Sequence, residues 1–206
     1  MYPFSSPSLI GLDINPHGLW LMQLRKAGNR FQVELAANER LPEAVFVDGK
    51  IMEWELIRQV VSQLVNKMGL TGMAAAIHIP AREVHMQKIQ IPRGMSDYAI
   101  EEEIKMQIKR DFPGLSHSLF IDFSVEKLQQ SPYLQVSFAA AREEYISQYV
   151  NCIHSSGLKV KVVDVDVYAL ERGQAINSFS SQHIKPENFP DFFMACGLAM
   201  REVPKW

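Results

Sequence analysis

Residues 9–24 read LIGLDINPHGLWLMQL, and the meaning of the rest of the chain turns on this stretch. Leu9, Ile10, Leu12 and Ile14 form an apolar strand, Asn15-Pro16-His17-Gly18 a tight turn, and residues 19–24 a second strand. Two strands joined by an Asn/Pro/Gly turn make a β-hairpin. Near the end of the first strand stands a single acid, Asp13, expected to be buried. Many strands carry one aspartate, so its role depends on what surrounds the hairpin.

Working outward, residues 30–39 (RFQVELAANE) alternate well enough for a third antiparallel strand. Leu41-Pro42 opens a loop, and Val47-Asp48-Gly49-Lys50-Ile51 turns into a helix. There Trp54, Ile57, Val60, Val61, Leu64, Val65 and Met68 recur at helical spacing, with Gly69 as C-cap. Residues 73–79 (MAAAIHI) are a nearly continuous apolar run between Gly72 and Pro80, which suits a strand covered on both faces. Strand, strand, strand, helix, strand is the opening of an α/β domain with a mixed sheet.

The texture changes around Pro80-Ala81-Arg82. Residues 84–91 (VHMQKIQI) alternate strictly, with Val84, Met86, Lys88 and Gln90 on one side and His85, Gln87, Ile89 and Ile91 on the other. Ser96 caps a helix that runs to about residue 111, acidic early and basic late, which complements the helix dipole. Its Glu101–Glu103 run reads as a solvated face, with Glu101 and Lys105 in the favourable order. A hairpin (119–125 and 133–140), a helix (143–155) and a strand (159–165) follow. Residues 84–163 therefore read as a small α+β unit inserted into a domain made of 8–83 and 164–206. Residues 166–177 are helical again, and 178–190 (SFSSQHIKPENFP) read as a Ser- and Pro-containing linker. Residues 191–202 make a closing helix that docks through Phe192, Phe193, Ala195, Cys196, Ala199 and Met200.

Bulk properties exclude several functions. With 206 residues, 47% of them hydrophobic, and a net charge of −2, the chain is an ordinary globular composition with no electrostatic pull toward nucleic acid or anionic lipid. Cys152 and Cys196 lack metal-ligand spacing and read as buried reduced thiols. The six histidines (17, 78, 85, 117, 154 and 183) form no His/Cys cluster, so no metal centre is expected. The opening MYPFSSPS lacks the basic start and apolar core of a signal peptide. No apolar run reaches the roughly 18 residues of a membrane helix. A protein inside the cell, meeting the membrane only through a partner, is the expectation.

Four segments, in this order, carry a family resemblance: GLDINPHGLWLMQL (11–24), LPEAVFVDGKI (41–51), IQIPRGMSDYAIEEEIKMQIKRDFP (89–113) and FAAAREEYISQYVNCIHSSGLKVKVVDVDVYALERG (138–173). Together with the closing FMACGLAMRE (193–202) they resemble the PilM family of type IV pilus assembly proteins, actin-like relatives of the cell-division protein FtsA. The resemblance implies a ribonuclease-H/actin-like mixed-sheet subdomain with an inserted α+β subdomain. In that superfamily the hairpin turn wraps phosphate or places a metal-binding carboxylate. It also implies a second domain, with a second phosphate hairpin and the adenosine-binding glycines, where this chain has only residues 178–190. The surviving turn departs from the family pattern. Small polar residues and a Lys usually follow Asp-Ile-Gly, whereas here Asn15-Pro16 follow Asp13-Ile14 and Trp20 takes the Lys position. Asp13, Asn15 and Gly18 thus form a degenerate phosphate turn, and neither a cofactor nor a catalytic residue is expected.

The function implied by the resemblance is that of a cytoplasmic scaffold of a type IV pilus machine, or of a related type II secretion or competence machine, peripheral to the inner membrane. It would bind the short N-terminal cytoplasmic peptide of the membrane protein PilN in a groove between the two subdomains. An extended peptide needs apolar ground plus polar groups that fix its register. The subdomain junctions fall near residues 80–86 and 164–168, which nominates Val84, Met86, Arg142, Asp164, Asp166 and Tyr168; packing the subdomains together is the alternative role for the same side chains. Actin-like relatives often self-associate, which leaves a homo-oligomer open. Two other readings compete. One is a ribonuclease-H-like nuclease with two metal ions on Asp13, Asp122, Asp164 and Asp166, opposed by the negative charge and the lack of a basic, aromatic stripe. The other is residual ATP binding on the Asp13 hairpin, completed by a second subunit.

Overall fold

In the computed structural model the described residues are 9–28, 30–112, 118–129, 131–176, 179–180, 184 and 186–202. They divide into two compact units, Met1–Pro80 with Gln148–Trp206, and Ala81–Ser147.

The first unit is built on the opening hairpin, β1 (Ile10–Asn15) and β2 (Gly18–Ala27), extended by β3 (Arg30–Glu39). A two-stranded ribbon, β4 (Phe46–Val47) and β5 (Lys50–Ile51), precedes helix α1 (Trp54–Lys67) and strand β6 (Ala74–Ile79). β1 pairs antiparallel with β2 and parallel with β6, so the hairpin sits at the centre of the sheet. That position explains its composition. Ile10, Leu12, Ile14, Leu19 and Leu21 face a core shared with Ile57, Val61, Leu64 and Val65 of α1.

The second unit begins with a single 3-10 turn and holds β7 (Val84–Pro92), α2 (Asp97–Asp111), β8 (Leu119–Lys127) and β9 (Tyr133–Arg142). Its sheet has the order β7-β9-β8, antiparallel throughout. α2 lies on one face, where Ile100, Ile104 and Ile108 pack with Ile91, Val136, Phe138 and Ala140. The alternation of 84–91 accordingly resolves into a covered side (Ile89, Ile91) and an open one on which Met86, Lys88 and Gln90 are exposed. The Ser96 hydroxyl accepts from the Ala99 amide as the N-cap of α2, and Lys105 bridges Glu101 and Glu102, each at 2.9 Å.

The chain returns to the first unit through α3 (Glu143–Ser155), β10 (Lys159–Val165) and α4 (Asp166–Gln174). Tyr149, Cys152 and Ile153 of α3 complete the α1 face of the core. β10 pairs in parallel with β6. Residues 159–163 thus belong to the large sheet and not to the inserted unit, correcting the expected boundary at 163. The periodicity of a strand gives no hint of which sheet it joins.

The expected linker 178–190 is corrected too. Within it β11 (Phe179–Ser180) pairs in parallel with β3, and a 3-10 helix runs Pro186–Phe192. Ser178 and residues 181–183 and 185 lie outside the described residues, as do His117 and His183. The closing helix α5 (Phe193–Ala199) is shorter than 191–202, because the 3-10 segment supplies its approach. Among the described residues the large sheet has the order β10-β6-β1-β2-β3-β11. α4 and α5 cover the face opposite α1, with Met22, Leu24 and Val33 against Ala195, Cys196 and Ala199, and Leu9, Ala76 and Val162 against Ala169 and Leu198. Glycine makes this layer possible. A Cβ on Gly11 would lie inside the Ala195 backbone, and one on Gly197 inside the Ala169 carbonyl.

Candidate functional site

On the second unit the start of β7, the end of β9 and the start of β8 meet the last turns of α2 around a cavity of about 260 Å³. Its floor is apolar: Val84, Ile108, Leu119, Ala140 and Ala141. Arg82, Glu83 and Arg142 supply charge around it. An Arg142 guanidinium nitrogen donates to Glu83 Oε2 at 3.3 Å, and Arg82 Nε stands 3.9 Å from Glu83 Oε1. Arg142 and Arg82 are each about half exposed (53%), so these pairs contribute little to stability. Their effect is local: two cations around one largely covered carboxylate leave an excess of positive charge. Burial, and behind it the Glu83 carboxylate, push the nearby Tyr145 phenol above its ordinary pKa. His85 lines the same cavity and stands edge-on to Phe112, ring centroids 4.4 Å apart.

Of the six residues nominated for a peptide groove, Val84 and Arg142 come together at this cavity. Met86 follows Val84 on the open face of β7 and is exposed. Asp166 and Tyr168 begin α4 in the first unit, where Tyr168 is exposed and Asp166 Oδ1 accepts from the Val167 amide at 2.7 Å. Asp164 does not line a surface. It is 8% exposed, Oδ1 accepts from the Val165 amide, and Oδ2 is bound by the Arg172 guanidinium with Arg201 Nε at 3.6 Å. A buried carboxylate needs such partners, and strand alternation cannot distinguish it from a surface acid.

The turn expected to be a degenerate phosphate turn, around Asp13, Asn15 and Gly18, has a definite geometry. Asp13 is 3% exposed, with Oδ1 2.8 Å from His78 Nε2 and Oδ2 accepting from Asn15 Nδ2 at 2.9 Å. Asn15 Oδ1 in turn accepts from the His17 amide at 2.8 Å, closing the turn over Pro16. Gly18, at φ +149°, packs so closely that a Cβ would stand 2.6 Å from the Glu39 carbonyl and 3.3 Å from the Trp20 ring. His78 is not among the site residues that the sequence nominates. The signal was there: Asp13 and His78 are the lone polar residues near the ends of two apolar strands, LIGLDI and MAAAIHI.

The four carboxylates of the nuclease reading have separate employments: Asp13 with His78, Asp164 with arginines, Asp166 at its own helix start, and Asp122 exposed on β8 of the other unit. Among the described residues no three His, Cys, Asp or Glu side chains could hold a metal ion together.

A family model for type IV pilus assembly protein PilM matches residues 11–185. The chain belongs to the PilM family. Its fold is also shared with solved structures. One is titled a PilM-PilN type IV pilus biogenesis complex, at 22% identity and a TM-score of 0.69, covering 82% of this chain and 51% of that one. Another is the cytoplasmic domain of EpsL, an inner-membrane component of the type II secretion system of Vibrio cholerae, at 11% identity and a TM-score of 0.51, covering 79% of this chain and 58% of that one. The chain therefore spans about half the length of the PilM structure it matches. The mixed sheet opened by a central hairpin is the PilM-type, actin-like architecture.

Proposed function

We propose that this PilM-family chain is a non-catalytic scaffold of a type IV pilus assembly machine. In this reading it works in the cytoplasm and is held at the inner membrane by a partner of the PilN type, whose extended N-terminal cytoplasmic peptide it binds. Membership of the family supports the scaffold role, and the fold shared with a PilM-PilN complex supports the choice of partner. Among the described residues no helix is long and apolar enough to cross a membrane.

The observation that carries the binding reading is the cavity between the strand ends of the second unit. Its apolar floor takes a side chain, and its arginines offer donors to a peptide carbonyl or acidic group. β7 and β8 are the edges of the sheet β7-β9-β8, so extended backbone can register beside the cavity. Val84 and Arg142 are the contacts we assign, one apolar and one charged.

The test is hydrogen exchange of the protein with and without a synthetic peptide of the partner's cytoplasmic N-terminus. Added protection at residues 82–86, 119–121 and 139–142 is expected. Protection confined to other segments would remove the cavity from the account, and no protection anywhere would remove the partner.

A further inference from the structure

In actin-like folds the first hairpin turn serves phosphate or a metal, and the residues present here do not fit that use. Asp13 is buried, and both its oxygens are engaged, by His78 and by Asn15. The side-chain side of Gly18 is filled by the Glu39 carbonyl and the Trp20 ring. Trp20 brings no charge to compensate a phosphate.

We propose that His78 has taken the ligand's place. The Asp13–His78 pair is an internal lock that joins the carboxyl ends of β1 and β6 and withholds the carboxylate from any metal ion or metal-bound phosphate. Two observations support an exclusively internal role. His78 is 6% exposed, and its ring faces the carboxylate through Nε2 at 2.8 Å. The two strands are neighbours in register, Leu12 opposite Ile77, which sets Asp13 beside His78 at the next position.

A lock of this kind has a signature that a ligand site lacks. Removing one member strands a buried polar group and is costly; removing both leaves an apolar contact and costs less. The His78→Leu variant should lower the urea midpoint by on the order of 1 M, and adding Asp13→Leu to it should raise the midpoint part of the way back. Mg-ATP and Mg2+ alone should leave the wild-type midpoint unchanged. If His78→Leu does not fold, a folded double variant gives the same support. A double variant no more stable than His78→Leu overturns the proposal. So does a wild-type midpoint that rises with Mg-ATP and loses that rise in Asp13→Asn.

Discussion

At the scale of single residues, the contacts between α4, α5 and the sheet rest on hydrogen atoms where other residues carry a Cβ. Gly197 meets Ala169 and Gly173, Gly173 meets Phe193, and Gly11 meets Ala195, in each case backbone against side-chain position. Backbone cannot retreat as a flexible side chain does, so Gly197→Ala should cost more than about 2 kcal/mol in chemical denaturation. The same alanine at Gly72, where nothing lies within 4 Å, meets no clash and pays only for its left-handed φ of +81°. The two thiols give a second prediction. Burial pushes Cys196 up to about 12 and Cys152 to about 11, from an ordinary 9. The folded chain thus holds these protons more tightly than the unfolded chain. Their contribution to stability is complete below pH 9 and declines as pH rises from 9 toward 12. A thermal series from pH 8 to pH 11 should show the decline, and Cys196→Ala should flatten it. Asp13 as a buried acid, and His78 as a lone polar residue in an apolar strand, are legible in the sequence; their meeting is not, because a histidine 65 residues away becomes a neighbour only through the parallel pairing of β1 with β6.

At the scale of elements, local chemistry accounts for most of what formed. Helical spacing from Trp54 and the cap at Ser96 gave α1 and α2 nearly to the residue. Ser96→Ala should lower stability by about 1 kcal/mol. Ile104, fully buried between α2 and its sheet, should cost about 2–5 kcal/mol as alanine, with faster amide exchange in β7, β8 and β9 as the readout. The Asp48-Gly49 pair has φ of +49° and +72°, so it closes a two-residue hairpin between β4 and β5 where the sequence suggests a turn leading into the helix. Two-residue strands are too short for alternation to show, and the same shortness hid β11. β10 reads as a strand from its sequence but as part of the inserted unit; its partner β6 lies some 85 residues earlier, and only the fold brings the two together.

At the scale of the whole molecule, the chain holds two units of different design. Among the described residues, one is a six-stranded mixed sheet between helices, and the other is a three-stranded antiparallel sheet covered by α2. The family follows from the match over residues 11–185. The functional account adds one claim, that a peptide of the membrane partner seats at the cavity of the second unit with no need for nucleotide. Calorimetric titration tests it most directly, with the partner's cytoplasmic N-terminal peptide and Mg-ATP as ligands, against the wild type and Arg142→Glu. We predict peptide binding on the order of micromolar, weakened roughly tenfold by the charge reversal, and no heat from Mg-ATP. Binding of Mg-ATP without a response to peptide, or peptide binding indifferent to Arg142→Glu, would contradict the account.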